Sequence, residues 1–337
     1  MTSSAVVETP LPAETDSLID LAPIADGERS TWLALTADGR LLCLDADSGA
    51  VSVVVRHTVP AEPAASGATS ERAAQPRLHA SADGTVAAVV NDHGHHGQVL
   101  DLRSGAVTLT LHGGDHHPET VPFSLAFAEH AGRCVVVHRT AWNRLNATDA
   151  RTGELITERD IEGRPDLDPD YFHGTLKLSP SGRWLADDGW VWHPVGIPRV
   201  YDLRRWLDND PGEAAGDVPP IDLCHRDYYW NHPMCWLDDD LLAVSGLGDD
   251  EDEMTPGVRI FDVGTGKEQD PVPGPRGQLF AAGGRLYAAA PEGLEVWDPA
   301  RGTRTGAVPG FVPTHHHPTA GELVAVRNGT MLRWQMD

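Results

Sequence analysis

The nonapeptide LEVWDPARG, Leu294–Gly302, decides the fold because its pattern returns along the whole chain. It is an alternating apolar run that ends in Asp298, with a glycine four residues after that aspartate. An alternating run that leads into a glycine turn and a second alternating run predicts a β-hairpin. The pattern returns around Asp45, Asp101, Asp149 and Asp262, a sixth copy at Asp202 lacks the glycine, and a seventh copy, TMLRWQMD, ends the chain.

A second pattern precedes each of these copies, a short polar turn between two apolar runs. Its central residues are Gly27, Gly84, Gly132, Gly182, Asp240, Gly284 and Gly321. The 14 to 22 residues between each such turn and the end of the matching strand leave room for one more strand. Each unit is therefore predicted to be a four-stranded antiparallel meander. The units span approximately residues 18–57, 76–112, 121–160, 173–225, 232–273, 277–309 and 312–337.

The last unit has room for only three strands before the chain stops. The extended N-terminal segment 5–12 contains prolines that suit an edge strand, and it can complete the last unit. A ring closed in this way leaves no exposed sheet edge at the junction. The sequence thus predicts an all-β fold, a single seven-bladed β-propeller domain over residues 1–337.

The blades resemble those of the WD-repeat propeller superfamily. The resemblance rests on VWD at Trp297–Asp298 and on its relatives IFD, VYD and VLD at the equivalent strand ends. It extends over essentially the whole chain and implies the fold. It does not imply a particular function, because one fold carries many functions.

Composition narrows the classes of partner. The chain has 337 residues, 40% of them hydrophobic, and a formal net charge of -24 with a pI near 4.9. Such an acidic protein repels phosphate backbones and anionic lipids, so we expect neither nucleic acid nor a membrane surface as partner. The N-terminus lacks the basic and apolar regions of a signal peptide, and the four cysteines form no CxxC motif. We therefore expect a cytoplasmic monomer with reduced thiols.

Irregular segments are predicted to lie on one face of the ring. In such a meander the second turn of each blade and the connection to the next blade share one side, which we call the loop face. It is built from Asn91–Gly97, His112–Thr120, His138–Arg144, Arg164–Gly174, Asp187–Gly196, Cys224–Cys235, Gly246–Gly257 and Gly310–Pro318. These segments hold most of the 17 histidines. Irregular loops on a rigid scaffold tend to carry function, so the loop face is the predicted binding face.

Aromatic and polar residues of this face are the candidate ligand contacts. They are Trp142, Asn143, Arg144, Tyr171, His173, Trp190, Trp192, His193, Tyr228, Tyr229, Trp230 and His232. The rings either pack beneath neighbouring loops or form the wall of a pocket, and the sequence leaves both open. A protein, a peptide or a small molecule would each fit such a face.

The histidines offer an alternative function. His316 and His79 are aligned at channel-facing positions of their blades, and His95 and His117 lie in nearby loops. Imidazoles suit zinc, copper, nickel or iron, so these four are candidate metal ligands for a metal-dependent lyase or hydrolase. Clustered histidines are also frequent as simple hydrogen-bonding groups. The chain has no GxSxG, P-loop or HExxH motif, so catalysis remains an open alternative to binding alone.

Overall fold

The computed structural model describes residues 5–62, 72–158, 169–209 and 219–336. The first strand, β1 (Val7–Pro10), is followed by strands that fall in chain order into seven sheets, numbered here as blades 1 to 7. Blade 1 contains β2 (Leu18–Asp26), β3 (Arg29–Thr36), β4 (Arg40–Asp45) and β5 (Val51–Arg56). Blade 2 contains β6 (Gln75–Ala80), β7 (Val86–Asp92), β8 (His96–Asp101) and β9 (Val107–His112). Blade 3 contains β10 (Leu125–His130), β11 (Arg133–Ala141) and β12 (Arg144–Asp149).

Blades 4 to 7 follow the same order from the inner to the outer strand. Blade 4 contains β13 (Phe172–Leu178), β14 (Trp184–Val191), β15 (Val195–Asp202), β16 (Ile221–Asp222) and β17 (Arg226–Asp227), and blade 5 contains β18 (Met234–Trp236), β19 (Leu241–Leu247), β20 (Thr255–Asp262), β21 (Lys267–Glu268) and β22 (Val272–Pro273). Blade 6 contains β23 (Gln278–Ala282), β24 (Arg285–Ala290), β25 (Gly293–Asp298) and β26 (Thr303–Pro309). Blade 7 contains β27 (His315–His317), β28 (Glu322–Arg327) and β29 (Thr330–Gln335). Within the described ranges, the helices are α1 (Leu203–Asn209) and short 3-10 turns at Ala13–Thr15, Pro118–Thr120 and Glu251–Glu253. None of the described helices is long and apolar enough to span a membrane.

The outer position varies among the blades. In blades 4 and 5 it is divided between two short strands, β16 and β17 in one and β21 and β22 in the other. In blade 3 it is reduced to Leu155–Thr157, where Leu155 bridges Thr148 and the Ile156 amide donates to the Ala147 carbonyl. The last residues assigned to this blade by the sequence, 159 and 160, lie outside the described ranges.

The predicted closure is confirmed. Strand β1 pairs antiparallel with β29, with Val7 opposite Arg333 and Pro10 opposite Thr330. The N-terminal strand therefore becomes the outer strand of blade 7, in the sheet order β1-β29-β28-β27. The all-β, seven-bladed propeller predicted from the repeats is the fold of the protein.

The core lies between the blades. Seven hydrophobic clusters each join one blade to the next, and the one that closes the ring packs Trp32 of blade 1 against Val324 and Met331 of blade 7. Middle strands such as β7, VAAVVND, are buried on both faces because a blade packs on each side of them. This explains why those strands are continuously apolar and do not alternate.

The repeated aspartates cap turns. One oxygen of Asp45 accepts the amide hydrogens of Asp47 and Ser48, at 2.9 and 3.0 Å. The copies at Asp101, Asp149, Asp262 and Asp298 accept amide hydrogens in the same way. The most frequent polar residue of the repeat is therefore structural, and specific function has to come from elsewhere.

Candidate functional site

A continuous stack of aromatic rings, called here the aromatic ladder, lies on the loop face across blades 3 to 5. Phe172 stacks on Trp190 with ring centroids 4.2 Å apart, and Trp190 stacks on Trp230 at 4.8 Å. Trp142 lies 4.4 Å from Phe172, and His116 packs against both at 5.2 and 5.6 Å. Rings so tightly packed lose little conformational entropy when a ligand binds, which makes the ladder a rigid platform.

Two aromatic side chains beside the ladder face solvent. Trp192 is 53% exposed and Tyr228 is 60% exposed. Their backbone segments are neighbours, because the Tyr228 amide donates to the carbonyl of Pro194, two residues after Trp192, and strand β17 pairs with the start of β15. The Trp192 ring also packs beside the imidazole of His117, with ring centroids 6.0 Å apart. Large exposed rings over a rigid base are typical of binding surfaces, where Trp and Tyr supply much of the affinity.

An acidic loop, residues 248–253, borders this exposed pair. The Asp227 amide donates to the Asp249 carbonyl at 2.8 Å, which fixes the loop beside Tyr228. Arg259 pairs with the Asp249 carboxylate at 2.8 Å. The exposed side chains of Glu251, Asp252 and Glu253 have no ion-pair partner among the described residues. The edge of the exposed aromatic pair therefore carries a local negative charge.

The ladder rests on a buried polar network in blade 4. His173 and Asp187 are completely buried, and the His173 Nδ1 lies 2.6 Å from the Asp187 carboxylate, whose other oxygen accepts the Gly174 amide at 2.8 Å. The Tyr171 hydroxyl donates to the Ile197 carbonyl at 2.8 Å and accepts the Gly189 amide at 3.0 Å. Burial raises the pKa of Tyr171 well above its usual value, so the hydroxyl remains a donor.

A second buried pair holds the segment that carries Tyr228. Arg226 has no exposed surface, and it donates to Asp188 at 2.9 Å and to the Ser245 carbonyl at 3.2 Å. The other oxygen of Asp188 accepts the His232 amide at 2.7 Å. Burial raises the pKa of Asp188, and Arg226 opposes this rise. This ion pair therefore fixes both ends of the segment 226–232.

One glycine allows the ladder to pack. A Cβ atom at Gly189 would lie 2.2 Å from the Phe172 carbonyl oxygen and 2.5 Å from the Tyr171 ring. Any side chain here would push apart the strands that carry Phe172 and Trp190. The residue is glycine because two strands and a ring meet at this point.

The twelve candidate ligand contacts fall into two groups. Trp192, His193 and Tyr228 are exposed. The remaining nine are buried or partly buried, and the most deeply buried of them support the site from below and do not line it in this conformation: Tyr171, His173, Trp190 and Asn143. The partly buried ones are Trp142, Arg144, Tyr229, Trp230 and His232, of which Tyr229 and His232 stack at 3.5 Å.

The four candidate metal ligands are not brought together. His79 and His316 line the central channel, in two different cavities of it. His95 lies in the turn between β7 and β8, and His117 lies beside Trp192, with its Nδ1 2.9 Å from Glu119. His315 and His317 contact blade 1: His315 pairs with Asp20 at 2.9 Å, and His317 lies 2.9 Å from the Thr31 carbonyl.

A different group of residues has the spacing expected of metal ligands. Among the described residues, only His95, His112 and Asp115 place three ligand atoms within 4.8 Å of one another. The His95 Nδ1 is 3.0 Å from the Gly114 carbonyl, which can only accept a hydrogen bond, so this nitrogen is protonated. The His112 Nδ1 accepts the Gly114 amide at 3.2 Å, which leaves the proton of the neutral ring on Nε2, facing Asp115. A metal cofactor at this site remains a prediction.

Sequence reasoning missed the contacts that depend on burial. Arg226 and Asp188 are far apart in the chain and carry no motif, so nothing in the sequence indicates that they pair. Phe172 and His116 join the ladder only because blades 3 and 4 are neighbours. The repeated strand and turn patterns identified the blades but not which loop residues would meet.

Comparison with known proteins supports the fold and goes no further. No protein-family model matches the chain, and no curated protein matches it. Solved structures do match, 1104 chains in all, and a chain in the crystal structure of the mitotic checkpoint complex is an example. It is 15% identical, with a TM-score of 0.57 over 99% of this chain and 94% of that chain. The chain is a seven-bladed β-propeller, and so widespread a fold does not indicate a particular activity.

Proposed function

We propose that the protein is an interaction scaffold whose loop face binds a basic segment of a partner protein. The observation that carries the proposal is the exposed pair Trp192 and Tyr228. Trp192 packs against Trp190 and Phe172 of the ladder, and the Tyr228 segment lies beside the unpaired carboxylates of the acidic loop. The propeller fold is consistent with such a scaffold, and it occurs in a chain of the mitotic checkpoint complex.

The chemistry of the surface favours lysine or arginine side chains. A guanidinium or ammonium group is attracted to the face of Trp or Tyr, and this attraction strengthens when the pair is partly shielded from water. The carboxylates of Glu251 and Glu253 add a long-range attraction that raises the association rate and weakens with salt. An acidic or purely apolar segment would gain from only one part of this surface.

A defined probe tests the proposal. A labelled Arg–Gly repeat peptide is titrated against the protein, and its Glu–Gly counterpart of equal length serves as the opposite charge. We expect the Arg–Gly peptide to bind and to quench tryptophan fluorescence, with an affinity that falls as salt is raised. The Trp192→Ala variant should bind about tenfold more weakly, as expected for a central aromatic contact.

Matched charge variants locate the binding surface. The double variant Glu251→Gln/Glu253→Gln removes two charges from the acidic loop. The double variant Glu28→Gln/Glu129→Gln removes two exposed charges from the opposite face of the ring. We expect weaker binding only from the first. Equal loss in both variants, or full binding by Trp192→Ala, would mean that the peptide is attracted merely by net charge.

A further inference from the structure

The mouth of the central channel on the loop face contains a small cationic cavity, called here the channel-mouth pocket. It has a volume of about 220 Å³. Its lining residues are Arg72, Arg77, His93, Pro122, Thr175, Lys177, Asn231, His232, Pro233, Met234 and Gln278. Three of these residues are permanent or near-permanent cations, and no aspartate or glutamate of the described part of the chain lines the pocket. This is unexpected in a chain with a net charge of -24.

The cations in the pocket are incompletely paired. Lys177 lies on the channel side of β13, and its ammonium group has no hydrogen bond or ion pair within the described part of the chain. Arg77 uses its Nε to contact Asp92 at 2.6 Å, and its terminal nitrogens have no further partner among the described residues. An unpaired cation in a partly buried site is costly, so such an arrangement favours a bound anion.

The neighbouring groups are affected by this uncompensated positive charge. Burial lowers the pKa of Lys177, and Arg77 lowers it further. Burial lowers the pKa of His93 and of His232 to about 4, and Arg72 contributes to both shifts. In each case the nearby cations add to the effect of burial. An anion bound in the pocket would raise these pKa values and so oppose the effect of the nearby cations.

We propose that the channel-mouth pocket binds the phosphate group of a small molecule. Lys177, Arg77 and Arg72 would supply the charge, and Thr175 and Gln278 the neutral hydrogen bonds. Guanidinium groups match the oxygens of phosphate in geometry, and a lysine acts as an additional point charge. The volume is below the about 300–1,000 Å³ that holds a drug-sized ligand, so the pocket fits a compact anion and not an extended one.

The long-range repulsion by the acidic protein does not prevent this. At physiological ionic strength the Debye length is about 8 Å, so distant carboxylates are largely screened at the pocket. The charges within a few ångströms decide the local potential. Arg72, Arg77 and Lys177 line the pocket, whereas of the nearby carboxylates Asp92 pairs with Arg77 and Asp188 is already paired with Arg226. The site is separate from the exposed pair Trp192 and Tyr228, and its occupant carries the opposite charge to the partner segment proposed above.

The chain offers an unusual control because it contains only two lysines, Lys177 and Lys267. Lys267 lies in the exposed outer strand β21 of blade 5. Reductive methylation with ¹³C-formaldehyde therefore gives two lysine signals and one from the N-terminal amine in an NMR spectrum. Inorganic phosphate and glycerol 2-phosphate are titrated at pH 7.5, with sodium chloride of matched ionic strength as the reference.

We expect the Lys177 signal to move and saturate at millimolar concentrations of either phosphate compound, while the Lys267 signal stays unchanged. In calorimetry, Lys177→Met should abolish the heat of phosphate binding, Arg72→Gln should weaken binding several-fold, and Lys267→Met should bind as the wild type does. Equal movement of both lysine signals, or wild-type binding by Lys177→Met, would overturn the proposal. Tighter binding of a phosphoserine nonapeptide than of both small compounds would also overturn it, because the occupant would then be a protein side chain.

Discussion

The buried pair of Arg226 and Asp188 should make a large contribution to stability, and Arg226→Met tests this. The substitution keeps much of the side-chain volume but leaves the Asp188 carboxylate without its only described cationic contact. Both side chains are essentially buried, at 0% and 1% exposure. Removal of one member of a buried ion pair costs about 3–5 kcal/mol, because the remaining charge stays desolvated.

Residual hydrogen bonds decide where in that range the variant falls. The Asp188 carboxylate keeps the amide of His232 at 2.7 Å, and that contact stabilises the anion. We therefore expect the loss near the lower end, about 3 kcal/mol. For a domain of this size, about 2 °C of melting temperature is lost per kcal/mol, so the expected decrease is about 6 °C.

The loss of stability caused by Arg226→Met should depend on pH. Without Arg226, burial raises the pKa of Asp188 further, and the folded variant takes up a proton more readily than the unfolded chain does. A carboxyl group with a raised folded-state pKa destabilises the fold above its unfolded pKa, near 3.9, and this penalty decreases as the pH falls. The difference between variant and wild type should therefore be smaller at pH 5 than at pH 8.

Thermal unfolding followed by circular dichroism measures this effect, with Arg276→Met as the matched control. Arg276 pairs with Glu292 at 2.7 Å on the surface, where both side chains are at least half exposed. Such a pair contributes about 0–1 kcal/mol. If Arg226→Met lowers the melting temperature no more than Arg276→Met does, or if its deficit grows as the pH falls, the reasoning about the buried pair is wrong.

Three further predictions concern stability. Burial lowers the pKa of His138 to about 4, so between pH 7 and pH 4 the unfolded chain binds a proton at this residue and the folded chain does not. The free energy of unfolding should therefore fall by up to about 3 kcal/mol over this range. Denaturant titrations of His138→Gln should show a flatter dependence of stability on pH. Gly189→Ala should cost about 3 kcal/mol and alter the tryptophan emission spectrum, whereas Gly306→Ala, whose new Cβ lies 3.6 Å from Val296, should do neither. Deletion of residues 1–12 removes β1 and exposes the edge of β29, so it should lower the melting temperature and produce aggregates in light scattering. A monomeric variant of unchanged melting temperature would contradict the role of β1 in closing the ring.

The site could be predicted only in part. The loop face was identifiable from the uneven distribution of histidines and aromatics, and Trp192 and Tyr228 were among the candidates. Their exposure was not predictable, because Trp190 has the same side chain two residues from Trp192 and is buried in the ladder. In a strand such neighbours share a face, and only the end of β14 separates their environments.

The sequence by itself determined the number of blades, the closing strand and the role of the repeated aspartates. The number of blades and the role of the aspartates depend on period-two alternation and turn chemistry, which act within a few residues along the chain. The closing strand follows from the strand count, because the last unit lacks a fourth strand and the N-terminal segment is unassigned. Only the tertiary structure decided which groups from different blades meet: Arg226 with Asp188, His116 with Phe172, and the cations at the channel mouth. Such encounters depend on the order of blades around the ring and on the path of each loop, and no local sequence pattern encodes either.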